Sequence, residues 1–498
     1  MLKPSGLSLY PILRRVLEFF LVPLIRLVDI LCPRCRPWWN KQSHFVQQLI
    51  INLAIGLPIA MIVMLLHNSR WVTEFEDLKV DSLMSFYRGS APNLEKPTYP
   101  FVFINIDEKT YQTWGEPLLT PRDKLQQLLH FAVNGQAAVI VVDIDLSYPR
   151  AVKPQKLEAL TEADLKLRNY LNNYEANCKT SCPHIILVRS FRKQLINDNG
   201  VYYPAQRPTF LDDIVKKAPH LHWASVHFDR EQDRILRRWQ LWQGACTQGQ
   251  PEVVPSISLL TLALLTDPKK GGSNLNNQLQ NFKPSDCAKS PQAEWPEFNQ
   301  TQKIQISDWE FHAQPSRLNR RIFYTIPWQL NEGEKRPQVD SSRFLFEQLS
   351  AKNVLKNLDA DSSPLLQKSI TIIGGSYLES RDFYATPIGW MPGALVLVNA
   401  IHSILQYGEL NAPPFWFLLF IIAVVIWLMS LLLTHFDSFW GMTFSGLGII
   451  LIILPISFLF FEYGVWLNFA IPLLIIQWRQ MAADYKEAIN KCSLPPVK

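Results

Sequence analysis

Three aspartates close apolar stretches that read as strands. Asp107 ends "FVFINID", and Asp143 and Asp145 end "AAVIVVDID". A further stretch, "SITIIGG", ends in Gly374–Gly375 and runs on to Asp382 and Thr386 in "RDFYATPIG". Carboxylates gathered at strand ends can bind a divalent cation or a cationic ligand. A glycine pair after a strand is where a phosphate can meet free backbone N–H groups. In open α/β sheets the loops diverge at the carboxyl edge of the strands, and ligands bind there. A single Asp in such a place reads first as a helix cap or a loop brace. The cluster leaves both a ligand site and a structural network open.

The phosphate reading is weak. No Lys-Ser/Thr follows Gly374–Gly375 as in a P-loop, and no third glycine completes a dinucleotide fingerprint. No Ser/His/Asp order, HExxH or zinc-ligand cluster stands out, so no catalytic residue, metal set or cofactor is assigned. His220 and His222 alternate on a strand, a spacing that can hold a metal but here lacks further ligands. Cys32–Cys35 in "CPRC" is half a metal site without a second pair nearby.

The elements around these residues read as an α/β domain. "FVFINID", the helical "TPRDKLQQLLHFAVNG" and "AAVIVVDID" form a strand–helix–strand unit with parallel pairing. Thr120 is expected to cap that helix, with Pro121 in its first turn, Asp123 completing a capping box and Gly135 ending it. "KLEALTEADLKLRNYLNNY" predicts a second helix and "HIILVRS" a third strand. "HWASVHFDREQDRILRRWQLW" resembles a hairpin turning around Asp229 and Asp233, and "PSISLLTLALL" predicts a core helix. Residues 267–302, rich in Pro, Gly, Asn, Gln and Lys, are expected to be an exposed excursion held by Cys287. "GALVLVNAIHSILQYG" predicts a final helix.

Hydropathy sets the topology. No Asp, Glu, Lys or Arg lies between Lys41 and Arg70, and only Asp437 and Glu462 interrupt Ala412–Trp478. A helix crosses a hydrocarbon core with about 20 apolar residues. Four transmembrane helices are expected, at 46–68, 413–434, 439–461 and the shorter 463–478. Residues 1–45 carry seven Lys/Arg against two Asp/Glu, and 479–498 carry four against two. That excess places both termini in the cytoplasm and residues 71–411 outside. The basic balance is therefore a topology signal and gives no argument for nucleic acid. Within 1–45, "LRRVLEFFLVPLIRLVDIL" has the spacing of an amphipathic helix lying on the cytoplasmic interface.

Cys178, Cys182, Cys246 and Cys287 fall in the outer domain, where disulfides persist. Cys178–Cys182 with Cys246–Cys287 is the preferred pairing among the three connectivities that four cysteines permit.

The order "INIDEKTYQTWGEPLLTPR…VVDIDLSYP", "FDREQDRILRRWQL" and "ITIIGG…RDFYATPIGWMPGALVLVNAI" resembles the CHASE2 extracellular sensor domain. The match covers about 71–411 and is strongest at its two ends. Asp107, Trp114, Gly115, Pro117, Pro121, Arg122, Asp143, Asp229, Arg237, Gly374, Asp382, Thr386, Pro387, Pro392 and Gly393 carry it. The resemblance implies an extracytoplasmic α/β sensor, with a mixed, partly parallel sheet flanked by helices, between an N-terminal anchor and C-terminal spans. It also implies that the membrane is the inner (plasma) membrane of a bacterium. It implies fold and sensing roles for the motif residues and no established ligand set. The chain departs from the family where Arg234 follows Asp233 in place of glycine, and where Leu397–Val398 replaces a His-Ala pair.

Only 20 residues follow Trp478 here, so a fused kinase or cyclase is not expected. The expectation is a non-enzymatic membrane sensor with an unknown outer ligand and an output protein supplied in trans, compatible with a homodimer. The alternatives are a non-catalytic scaffold or subunit of a larger complex and, more remotely, an outer enzyme using the Asp cluster.

Overall fold

The computed structural model describes residues 70–409 apart from 90–97, 148–159, 179–181, 196–201, 284–286, 288–302, 313–319, 358–363 and a few single positions. It also describes residues 415–435 and scattered positions between 41 and 61. Residues Asn68–Ala412 make up one compact unit.

That unit is built on six strands: β1 (Phe101–Ile106), β2 (Val139–Asp143), β3 (His184–Val188), β4 (Leu221–Ala224), β5 (Phe346–Ser350) and β6 (Ile370–Gly375). All their pairings are parallel, in the order β5-β1-β6-β2-β3-β4. The helices used below are α1 (Arg70–Phe86), α2 (Glu108–Thr113), α3 (Arg122–Asn134), α4 (Glu162–Asn172), α5 (Ile257–Thr266), α6 (Gly271–Gln280), α7 (Ala351–Lys356) and α8 (Gly393–Tyr407).

Strands this apolar need cover on both faces, because alternate side chains point to opposite sides. On one side Val102, Ile104, Ile140, Val142, Ile185, Leu187 and Ile373 pack against Leu125, Leu128 and Leu129 of α3, Leu167 and Leu171 of α4, and Val354 of α7. On the other side Phe101, Phe103, Val139, Val141, Ile370 and Ile372 turn toward α5 and α8. The result is a helix–sheet–helix sandwich. Strands 191–195, 202–206, 242–247 and 250–255 form a separate four-stranded sheet, joined by antiparallel pairs and one parallel contact.

The expected α/β domain, with a partly parallel sheet flanked by helices, holds; within it the six-stranded sheet is parallel throughout and the antiparallel pairs lie in the smaller sheets. Both expected cysteine pairs are present, Cys178–Cys182 and Cys246–Cys287. Several details differ. Pro121 occupies the N-cap of α3, and no side chain caps it. Arg122 starts the helix, so Thr120 stands one residue too early. Part of the expected hairpin is strand β4 of the main sheet, and only Phe228–Asp229 pairs with Arg238–Trp239. The excursion contains α6, whose Leu275 and Leu279 are buried at an i, i+4 spacing. Its polar composition hid that short apolar stripe.

Of the expected membrane segments, Phe415–His435 forms a 21-residue helix, α9, in a run without acidic or basic residues. Among the described residues no helix counts as long and apolar enough to cross a membrane. Most of 46–68, both later apolar runs, the 1–40 segment and the 479–498 tail lie outside the described residues.

Candidate ligand site at the carboxyl edge

The last strand of the main sheet, β6, inserts between the first two, so the carboxyl ends of β1, β6 and β2 lie side by side. Asn105, Gly374 and Asp143 share one register row. They belong to the face covered by α8. A Cβ on Gly374 would lie 3.1 Å from the Ala394 Cβ and 3.4 Å from the Asp143 Cβ, so glycine lets the first turn of α8 settle onto the sheet.

The sequence marked four aspartates, and the fold separates them. Asp107 caps α2, accepting from the Thr110 amide at 2.8 Å and its hydroxyl at 2.6 Å. Asp145 braces loops, accepting from the Ser147 amide at 2.8 Å and the Ser190 hydroxyl at 2.7 Å. Burial pushes Asp145 up, but the bonds from Ser147 and Ser190, with Arg207 nearby, hold it below its ordinary value. These two positions do the backbone work expected of isolated aspartates.

Asp143 and Asp382 are brought together. Burial pushes the Asp143 carboxyl up to about 8, and the neighbouring Asp382 carboxylate adds to the rise. Burial raises Asp382 as well, against a hydrogen bond from the Tyr384 hydroxyl that pulls the other way. The Asp382 carbonyl accepts the Gly393 amide at 2.8 Å. Its carboxylate lies so close that a Cβ on Gly393 would fall 2.3 Å from Oδ2. An acid against the first turn of a 15-residue helix therefore faces a second acid from the sheet. Two desolvated like charges disfavour double ionisation, so the pair tends to keep a proton.

Sequence reasoning missed Asn105. It is 1 % exposed, and neither its amide nitrogen nor its amide oxygen has a hydrogen-bond partner. The signal was a polar residue in the otherwise apolar "FVFINI" strand. Gly375 lies beside the Tyr377 ring, which stacks on Tyr111 at 4.2 Å. Thr386 stands apart from the acids, its hydroxyl donating to the Gly389 carbonyl at 2.6 Å in the hairpin Phe383–Pro392.

A second group of acids is neutralised. Asp77 and Asp81 of α1, with Glu231 and Asp233, surround Arg237, Arg238 and Arg321, each of which is 1–2 % exposed. Arg237 donates to Asp81 at 2.9 Å, Glu231 at 2.9 Å and Asp233 at 3.0 Å. Arg321 reaches both Asp77 and Asp81. Asp229, marked with Arg237 from the sequence, pairs in the ladder with Arg238. The i, i+4 spacing of Asp77 and Asp81 was the available clue to this network.

At the opposite end of the sheet, His222 gains a neighbour the sequence did not single out. Its Nε2 lies 3.0 Å from Nδ1 of His184, whose Nε2 donates to the Pro268 carbonyl at 2.7 Å. His220 pairs with Glu175 at 3.2 Å. Among the described residues, no group of three or more His, Cys, Asp or Glu side chains is arranged to hold a metal.

A family model, the CHASE2 domain, matches residues 58–434, most of the chain. The chain belongs to the CHASE2 family. CHASE2 domains are extracytoplasmic sensor domains, so the sheet edge just described lies in a domain of a sensing class. No curated protein and no solved structure matches the chain.

Proposed function

We propose that residues 71–411 form a non-enzymatic CHASE2 sensor outside the bacterial plasma membrane, relaying a signal through transmembrane helices to a separate cytoplasmic protein. One observation carries this reading. A single buried segment, Arg321–Ile326, is bonded to the two helices that lie next to apolar runs in the sequence. Arg321 grips Asp77 and Asp81 of α1, which follows the first run. The Phe323 amide donates to Ser403 of α8 at 2.9 Å, and the Thr325 and Ile326 amides donate to Asn399 of α8 at 3.1 and 3.0 Å. Helix α8 precedes the second run, and its first residue is tied to Asp382. A change at the acid pair thus acts directly on α8 and, through this segment, bears on α1.

The membrane reading rests on the apolar runs, on the 21-residue α9 and on the basic flanks. The test has two arms. Membrane-impermeant thiol reagents should leave Cys492 unmodified in intact cells and modify it after permeabilisation. Affinity purification from native membrane in mild detergent should recover a cytoplasmic protein, and recovery should fail when 1–45 and 479–498 are both removed. Labelling of Cys492 in intact cells, or recovery independent of both segments, would sink the reading.

One observation favours the scaffold alternative. Leu118, Leu378 and Trp390 are 96 %, 73 % and 69 % exposed, large apolar side chains available to a partner. A scaffold predicts a stoichiometric partner whose recovery ignores charge changes at Asp143 and Asp382.

A further inference from the structure

We propose that His184 and His222 form an acid-sensing site whose ligand is the proton, and that protonation releases α6 and, through the hairpin 303–312, the end of α8. This names the signal the sensor takes, and it rests on the sensor reading above.

The first argument is the hydrogen-bond order of the rings. Both stand at the amino ends of their strands, on the sheet face turned away from α3 and α4. His184 Nε2 donates to the Pro268 carbonyl at 2.7 Å, so in the neutral ring Nδ1 is a bare acceptor. His222 Nε2 lies 3.0 Å from it and supplies the N–H. That leaves His222 Nδ1 bare as well, on a ring edge packed against the first turn of α6. A Cβ on Gly272 there would lie 3.1 Å from Cε1 and 3.6 Å from Nδ1. The arrangement closes only while both rings are neutral. A proton on His184 Nδ1 meets the N–H of His222. Moving that hydrogen to His222 Nδ1 to make room turns an N–H onto the positive end of a helix.

The second argument is the surroundings. His220 adds a third imidazole, its centroid 4.9 Å from that of His184, and is itself paired with Glu175. In the turn before α6, which also carries Lys269 and Lys270, Asp267 accepts the amides of those two lysines at 3.1 and 3.0 Å. Glu252, on the neighbouring strand 250–255, accepts from Gln206 and Thr247. Helix α5 and the first turn of α6 carry no charged side chain. Among the described residues no carboxylate is paired with either ring. Burial, and after it the neighbouring imidazoles, hold His222 down at about 4; burial also lowers His184, against the Pro268 carbonyl. An opened pair takes up protons near the ordinary imidazole value of ~6.5, which the closed pair refuses. Below that value acid favours opening by up to about tenfold per pH unit for each ring.

The third argument is what the pair holds. Helix α6 buries only Leu275 and Leu279 as large apolar side chains. Its Gln278 exchanges two hydrogen bonds with the backbone of Gln305, at 2.9 and 2.8 Å. Gln305 lies in the hairpin, whose other strand ends in His312. The His312 amide and Nδ1 donate to the Glu409 carboxylate, each at 2.8 Å. The Trp309 ring fills the space that a Cβ on Gly408 would need. Gly408 caps α8, and α9 follows shortly in the chain. Cys287, bonded to Cys246, tethers the stretch between α6 and the hairpin, so opening stays local.

The test is amide hydrogen exchange on the full-length chain in detergent at pH 7 and pH 5, corrected for the intrinsic rate. A chelator is present throughout, so that no metal bridges the rings. Protection of α6 should fall at least about tenfold at pH 5, with the hairpin 303–312 and Ile404–Gly408 losing protection alongside it. His184→Gln combined with His222→Gln keeps hydrogen-bonding groups that do not titrate, and should remove the pH dependence of α6. Either single change is milder and should reduce it. His402→Gln should leave α6 responding as in the wild type. Gln278→Ala should let α6 open while the end of α8 no longer follows. An α6 indifferent to pH, or one as pH-dependent in both single variants as in the wild type, overturns the acid site. An end of α8 that stays protected while α6 opens overturns the link between them. Partner recovery separates this proposal from the sensor reading. If recovery needs 1–45 and 479–498 while α6 ignores pH, the sensor stands and the proton falls as its signal. If α6 opens through its histidines while recovery is the same at both pH values, the proton site stands and the sensor reading falls.

Discussion

Two groups of acids in this domain have opposite surroundings. Asp77, Asp81, Glu231 and Asp233 enclose three arginines. Asp143 and Asp382 face each other, with the Tyr384 hydroxyl and the first turn of α8 beside Asp382 and, among the described residues, no arginine or lysine paired to either. The first group is a clamp: it fastens α1 to the hairpin and to the Arg321–Ile326 segment, and every charge has an opposite. The second is a like-charged pair: it sets the end of β2 against the first turn of α8 under mutual repulsion. Charge paired with an opposite fastens elements together, and charge set against its like strains the elements that carry it.

The largest effect should come from unbalancing the clamp. Removing one member of a buried ion network leaves the others desolvated and unpaired. Arg321→Ala should therefore lose about 3–5 kcal/mol of unfolding free energy in a denaturant titration. A loss near zero would mean the arginines are not gripping α1.

The next contrast is pH. Burial holds His222 and His402 down at about 4, while an unfolded imidazole titrates near ~6.5. The unfolded chain thus takes up protons that the folded one refuses, and stability present above about pH 6.5 is lost as pH falls toward 4. Asp143 has the opposite sign. Its folded value is raised, so its contribution is full below the ordinary carboxylate range and is lost as pH rises through about 8. Tm against pH in a chelating buffer should fall at both ends. Asp143→Asn should flatten only the alkaline limb, and His402→Gln should soften only the acid one.

Smaller effects sharpen the assignment of single aspartates. Asp107→Ala should cost about 1 kcal/mol as a lost N-cap, and Asp107→Asn should cost little, by thermal unfolding. Asp143→Asn should be the only one of these changes that stabilises the protein near neutral pH, by up to about 1 kcal/mol through relief of like charge. A destabilised Asp143→Asn would place that side chain among the structural braces with Asp145.

Much of this was legible because parallel strands write themselves locally. "FVFINI", "VIVVD" and "ITIIGG" are unbroken apolar runs, and the polar residue that ends a strand stands at its carboxyl edge. The preferred cysteine pairing, one of the three that four cysteines permit, is the one observed. The insertion of β6 between β1 and β2 was not legible, because no local period records which distant strands become neighbours. That insertion is what brings Asp143 to Asp382 and leaves Asp107 and Asp145 as braces. The clamp escaped for a related reason: Asp77, Arg237 and Arg321 lie in three separate segments, and their charges read individually as surface. Helix α6 escaped because Asn and Gln cover its exposed face, with Leu275 and Leu279 as its only large apolar side chains.

The central claim is that the acid pair acts on α8 and, through Arg321–Ile326, on α1. Amide hydrogen exchange on the full-length protein, comparing wild type with Asp143→Asn above pH 8, tests it without knowing the ligand. Neutralising one acid should slow exchange at the start of α8, around Gly393–Val396, and change exchange in Arg321–Ile326 and α1, while the faces of α3 and α4 stay unchanged. Differences confined to the Asp143 loop, with α8 and Arg321–Ile326 exchanging as in the wild type, would contradict it.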